Sequence, residues 1–421
     1  MRTVDFPYGK TKQTAHIPES YDCQIISSKI LPQPKCSESI VEEALQSPIS
    51  SQTLKELSHD VKNIVIITND NTRPMPSKIT LPLIIRQFYY PESHYDITIL
   101  IATGLHRMMT EEEMANQYGD EFCRTHRVVC HDATNQKENV KIGVLTSGNE
   151  LYLNRIAANC DLLISEGFIE PHFFAGFSGG RKSVMPGVAG ELTIMQNHCP
   201  QNIAHAKARQ ATLTNNPIHE ECMEAAKMAN LRFIMNVALN DNKEIVAAFA
   251  GDPVEAHRKG CRYVEEIMTV PVKQTDIVVT SNNGHPLDRN LYQVVKGIDT
   301  AAKVVKPGGV IIAVAQCEDG IGHREFGELI RSCSTLQELS TMVSTPPLQH
   351  DKWQVQILVR ALEKATLILV NDVIDAKILR RMFIEAAPSV DEALQTAVSR
   401  IGPDATISFI PDGPVIIPVL S

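Results

Sequence analysis

Short runs of apolar, β-branched residues recur between stretches of helical spacing, at positions 63–67, 97–101, 161–165, 277–280, 310–314 and 367–370. Strands that alternate with helices predict an α/β fold with mainly parallel sheets. Thr110 with Glu113 forms a capping box that opens a helix ending near Gly119. A second helix is expected over 286–305, with Asp288 as its N-cap. The stretch Met268-Thr269-Val270-Pro271 separates the first group of strands from a second group beginning at Asp276. Two domains are therefore expected, 1–270 and 271–403, with the active site in the cleft between them. The last strand-like run, 406–410, comes after the break at Gly402-Pro403, and residues 404–421 are expected to return to the first domain.

The loops that leave these strands carry the chemistry. The run 63–67 empties into Asp70-Asn71-Thr72-Arg73-Pro74, and 97–101 into Ala102-Thr103-Gly104-Leu105-His106-Arg107. The run 161–165 leads into a loop read as carrying Glu166, Glu170 and His172. Polar groups thus gather at strand C-termini, the edge of an open α/β sheet where helix N-termini and loop amides converge on ligands.

Composition narrows the function classes. At 421 residues the chain exceeds what one hydrophobic core organises. A net charge of −9 leaves no basic excess to neutralise phosphates, which argues against a nucleic-acid partner and for a small molecule. The N-terminus has no apolar leader and no run approaches membrane-spanning length, so a soluble cytoplasmic protein without membrane contact is expected. The ten cysteines include no C-x-x-C pair, which fits reduced thiols rather than a zinc ribbon or disulfide scaffold. Cys199, beside His198, stands as a soft metal ligand in one reading and as a buried free thiol in the other.

The densest motif is Pro171-His172-Phe173-Phe174-Ala175-Gly176-Phe177-Ser178-Gly179-Gly180-Arg181-Lys182-Ser183, where glycine lets the backbone approach a ligand closely. A phosphate-cradling P-loop is the obvious rival, but that pattern needs glycine where Arg181 stands and normally starts directly after a strand. Lys182 is flanked by glycines and aromatics rather than by surface-type charge runs, which favours function over a solvated lysine. Three histidines, His106, His172 and His198, come after loop-forming sequence, each weighed against the commoner hydrogen-bonded structural histidine. No H-x-H, H-x-x-x-H or H-E-x-x-H pairs them, so a metal on one of them needs ligands from elsewhere, such as a sulfur-bearing cofactor. Arg289, Gln293 and Lys296, at i, i+4 and i+7, share one helical face, either solvated or in ligand contact.

These strings together resemble the lactate racemase family. The resemblance extends from Asp70-Asn71-Thr72-Arg73-Pro74 through the glycine-rich segment and Met195-Gln196-Asn197-His198 to Asn290-Leu291-Tyr292-Gln293-Val294-Val295-Lys296-Gly297. It implies a nickel cofactor, the pincer complex of pyridinium-3,5-bisthiocarboxylic acid mononucleotide, covalently attached to Lys182, with His198 as the fourth nickel ligand. A square-planar metal filled three-quarters by the cofactor accounts for the missing ligand cluster. The same matching makes His106 and His172 the acid/base pair. It gives Asp70, Asn71, Thr72, Arg73, Gln293 and Lys296 contacts to cofactor or substrate, and it implies accessory enzymes that synthesise the cofactor.

The implied activity is racemisation of a 2-hydroxyacid. The α-hydrogen leaves as hydride while a histidine takes the hydroxyl proton, giving a 2-oxoacid, because loss of a proton beside the carboxylate would leave a poorly stabilised, doubly charged carbanion. Arg73 or Lys296 would clamp the substrate carboxylate. Leu105, Asn283 and His285 depart from the aromatic, glycine and tyrosine usual in that family, and lead to the expectation that a longer or more polar hydroxyacid is accepted at least as well as lactate. The alternatives are an epimerase of malate or a sugar acid with the same cofactor, or a non-catalytic binder of a phosphorylated ligand.

Overall fold

Ile64, Val65, Ile66 and Ile67 are all buried, so the strand Asn63–Asn69 has no solvent face, the pattern of a parallel strand covered on both sides. Successive side chains point in opposite directions. Ile64 and Ile66 accordingly join one core with Val41 and Leu45 of the helix Ser37–Gln46, while Val65 and Ile67 join another with Leu163 and Ala226. The computed structural model describes residues 2–29, 36–240 and 242–421 and divides into two units.

The first unit comprises Ile30–His198 and Ala206–Glu266. Its six-stranded sheet runs in the order Ile245–Gly251, Leu231–Leu239, Leu162–Phe168, Asn63–Asn69, Asp96–Ala102, Arg127–Cys130. All neighbours are parallel except the first pair. Strand order reverses between Asn63–Asn69 and Leu162–Phe168, which leaves a crevice at their C-terminal ends. The Thr110–Glu113 capping box forms, and its helix Glu111–Tyr118 stops at Gly119, whose φ is 102°.

The second unit comprises Met1–Lys29, Cys199–His205 and Ile267–Ser421. Its six-stranded sheet runs in the order Glu385–Ala387, Thr366–Val370, Val305–Val314, Thr275–Ser281, Ile407–Ile410, Cys23–Ile25, with all neighbours parallel. Two expectations from the sequence are corrected here. The run at 406–410 does not return to the first domain: Ile407–Ile410 pairs with Thr275–Ser281 on one side and Cys23–Ile25 on the other. Nor do residues 1–29 belong with the first unit. Val4, Phe6, Ala15 and Ile17 of the hairpin Arg2–Tyr8 and Thr11–Ile17 share a core with Ile277, Val279 and Phe409.

The helix expected over 286–305 is observed as Leu291–Val304, capped by Asn290 rather than Asp288. Asp288 is committed elsewhere: its buried carboxylate accepts the backbone N–H of Gly9 at 2.7 Å and of Gln316 at 3.1 Å. Among the described residues no helix is long and apolar enough to cross a membrane. Replacing Asp288 with Ala should strand two backbone donors and cost about 2–4 kcal/mol, read by urea denaturation; a loss below about 0.5 kcal/mol would show that water satisfies both amides.

Candidate active site

The turn after Asn63–Asn69 folds on its own side chains. Asp70 accepts from the Thr72 hydroxyl at 2.5 Å and the Thr72 amide at 3.2 Å through one oxygen, and holds His106 Nδ1 at 2.7 Å with the other. Burial pushes the Asp70 carboxyl up, but the His106 ring, Arg73 and Thr72 outweigh it and hold it below the ordinary value. Arg73 donates to the Thr72 carbonyl and hydroxyl, and among the described residues no carboxylate pairs with it. Asn71 turns away: its amide donates to Glu113 at 2.8 Å, joining the network of Arg107 and the Thr110 cap. Glu166, read from sequence as a loop residue, lies instead within the strand Leu162–Phe168 and is buried.

After that strand a small hairpin, Pro171–His172 with Gly176–Phe177, leads to a 3-10 turn, Gly180–Ser183. This is not the strand, loop and long helix of a P-loop. Arg181 is wholly buried, donating to the carbonyls of Gly179 at 3.2 Å and Ala175 at 2.7 Å and meeting His257 Nε2 at 2.9 Å. The turn needs glycine at 180, where φ is +55° and an added Cβ would lie 2.7 Å from the His257 ring.

Lys182 points away from Arg181, its Nζ 5.7 Å from the centre of the Phe174 ring and 3.4 Å from His172 Nε2. His172 stacks on Phe173 and meets Phe174 edge-on at 4.6 Å, and its Nδ1 accepts the Ala175 amide. His198, at the end of the helix Glu191–Asn197, meets Phe174 edge-on at 4.9 Å. Phe174 is thus the shared wall of three candidate residues. Sequence reading missed this wall, the buried Arg181 and His257, because an aromatic or an arginine in a loop carries no local signal of burial.

Burial, then the nearby Arg181 and Arg73 charges, lowers Lys182 to about 7. Burial, then Lys182, lowers His198 to about 3. The site therefore offers a neutral imidazole with a lone pair and an amine close to neutral, the forms that metal ligation and acylation require. Among the described residues no group of three or more His, Cys, Asp or Glu could hold a metal ion alone. Cys199 opens the segment Cys199–His205, which belongs to the second unit. Gln293 and Lys296 also lie in the second unit, on the helix Leu291–Val304; Gln293 is buried and Lys296 half-buried. Arg289 precedes that helix and is paired with Asp319 at 2.9 Å, so it does not continue its face. His285 lies 3.5 Å from Glu318, and Asn283 adopts a left-handed φ of 63°.

A family model described as the lactate racemase N-terminal domain matches residues 8–211, and one described as the lactate racemase C-terminal domain matches 270–418. Lactate racemase of Thermoanaerobacterium thermosaccharolyticum is 43% identical over 418 residues, 98% of both chains. The chain belongs to the lactate racemase family. It is an enzyme of the isomerase class, a racemase that acts on a small molecule. Lactate racemase of Lactiplantibacillus plantarum is likewise 43% identical, over 98% of this chain and 99% of its own. The solved apoprotein of the T. thermosaccharolyticum lactate racemase superposes with a TM-score of 0.93 at 42% identity, covering 99% of this chain and 100% of that one. A Thermotoga maritima protein shares the fold, with a TM-score of 0.70 at 18% identity over 93% of this chain and 100% of its own.

The lowered Lys182 makes this racemase testable before any ligand is added. Only the neutral amine reacts, so competitive acetylation of the apoprotein, read peptide by peptide in the mass spectrometer, should place half-maximal Lys182 reactivity near about 7. A midpoint near about 10.4, the ordinary lysine value, would remove the electrostatic account.

Proposed function

We propose that this enzyme racemises lactate, and that Lys182 carries a nickel-pincer pyridinium mononucleotide whose metal is ligated by His198. The juxtaposition of Lys182, His172 and His198 around Phe174 carries this reading. The residues present fit the group: a near-neutral amine for covalent attachment, a neutral imidazole for the metal, and among the described residues no competing protein cluster. When bound, the group supplies a reversible hydride acceptor.

The protein then has to manage one proton and one carboxylate. Asp70 engages His106 Nδ1, which fixes the ring as the Nδ1–H tautomer and leaves the basic lone pair on Nε2. His172 is set the opposite way. Its Nδ1 accepts the Ala175 amide, so in the neutral ring the proton sits on Nε2. In either direction the histidine that takes the hydroxyl proton must start neutral and the one that returns a proton must start as the imidazolium, a state in which His172 Nδ1 gives up the Ala175 amide; the 2-oxoacid formed between these steps is planar and can be reduced on either face. Arg73, unpaired with any carboxylate among the described residues, holds the substrate carboxylate; Lys296 and Gln293, whose buried Oε1 has no hydrogen-bond partner among the described residues, keep the contacts to cofactor or substrate that the family resemblance implies. Asp70 and Thr72 shape this turn rather than bind, and Asn71 is drawn off by Glu113. Lactate is favoured over a longer or more polar hydroxyacid because two lactate racemases are 43% identical over 98% of this chain. The cofactor is made by accessory enzymes.

Two experiments check the assignments. In enzyme isolated from a cofactor-producing host, Lys182→Ala should show the bare polypeptide mass, while His198→Ala should keep the added mass and lose nickel; an adduct on the Lys182 variant would sink the tether. His106→Ala and His172→Ala should each lower racemisation about 10²- to 10⁴-fold in both directions. In acid-quenched single turnovers each should still convert one enantiomer to oxoacid, and the two should choose opposite ones. Either variant racemising normally would make that histidine structural.

A further inference from the structure

Glu166 is 2% exposed, and among the described residues no cation pairs with it. Three hydroxyls hold it instead: Thr68 at 2.5 Å and Ser77 at 2.6 Å on Oε1, and Thr80 on Oε2. Burial pushes this carboxyl up and the three donors pull it back. A carboxylate in a dry layer is costly where an apolar side chain would pack as well, so its partners are informative. Thr68 lies near the end of the strand Asn63–Asn69, and Ser77 and Thr80 lie in the first turn of the helix Ser77–Ile85. They flank residues 69–76, the segment that carries Asp70, Thr72 and Arg73. Pro76, the N-cap of that helix, makes no side-chain cap, and the carboxylate stands at the end of the helix where negative charge is favoured.

We propose that Glu166 is a positioning residue: by fastening both ends of the 69–76 turn it holds Asp70 where it fixes the His106 ring as the Nδ1–H tautomer. The effect reaches the reaction only through His106, so its kinetic consequence rests on the proton-transfer role given to that histidine above. The geometric consequence does not. An apolar replacement removes the acceptor shared by Thr68 and Ser77 and frees Thr80 to bond its own helix through the Pro76 carbonyl, already 3.3 Å away. The turn then loses its anchor on both sides.

Ring-nitrogen NMR of ¹⁵N-histidine-labelled apoprotein, near about pH 8.5 where a free imidazole is neutral, reads the tautomer directly, with the His106 signals assigned by their absence in His106→Gln. Wild type and Glu166→Gln, which keeps an acceptor oxygen, should show His106 as Nδ1–H. Glu166→Ala and the isosteric Thr80→Val should show a mixture. In loaded enzyme Glu166→Ala should lower kcat about 10²-fold with KM changed less than about threefold, and Glu166→Gln should recover most of that loss. A folded Glu166→Ala or Thr80→Val protein that keeps the single tautomer overturns the proposal. A tautomer that shifts while racemisation stays normal supports the positioning and overturns the role of His106 instead.

Discussion

A buried guanidinium is costly unless its N–H groups find acceptors, and the glycine-rich turn brings partners to both terminal nitrogens of Arg181 while Nε has none among the described residues. The carbonyls of Ala175 and Gly179 and the ring of His257 close around it. Neighbouring residues in a tight turn cannot face the same way, so turning Arg181 inward turns Lys182 out onto Phe174 and His172. No carboxylate compensates either cation among the described residues. The buried guanidinium thereby contributes to the ease with which Lys182 gives up its proton. Burial of Lys182 itself does most to lower it, and the buried charge beside it adds to that.

The two candidate proton-transfer histidines are restrained by different physics. His106 is tied to a buried carboxylate, which orients the ring. His172 stacks on Phe173 and accepts a backbone amide, contacts that orient the ring. The pair is unlike in its surroundings although alike in chemistry.

Much of this was legible in the sequence because it is local. Five of the six apolar runs lie within observed strands and the sixth, 161–165, starts one residue before its strand Leu162–Phe168, since a parallel strand covered on both faces reads as a continuous apolar run. The Thr110 cap was equally legible, its donor and acceptor being three residues apart. The Lys182 motif announced itself through glycines that only a close backbone approach explains. The misreadings share a cause: each depends on a partner distant in the chain. Asp288 looks like a helix cap until Gly9 claims it. Glu166 looks like a loop residue until Thr68, Ser77 and Thr80 enclose it in a strand. Nothing in residues 406–410 says whether they pair with a strand of the first unit or with Cys23–Ile25.

That last pairing also has a consequence in time. A ribosome delivers the chain from its N-terminus, and domains tend to fold as they emerge. Strand Cys23–Ile25 is made well before its partner Ile407–Ile410, so this edge of the second sheet waits until that later segment has emerged. The sheet that presents Asp70 and His172 draws all its strands from residues 63–251 and needs nothing from the late-made part of the chain. The segment bearing Lys182 is thus complete within the nascent chain while the opening hairpin is still without most of the sheet it covers.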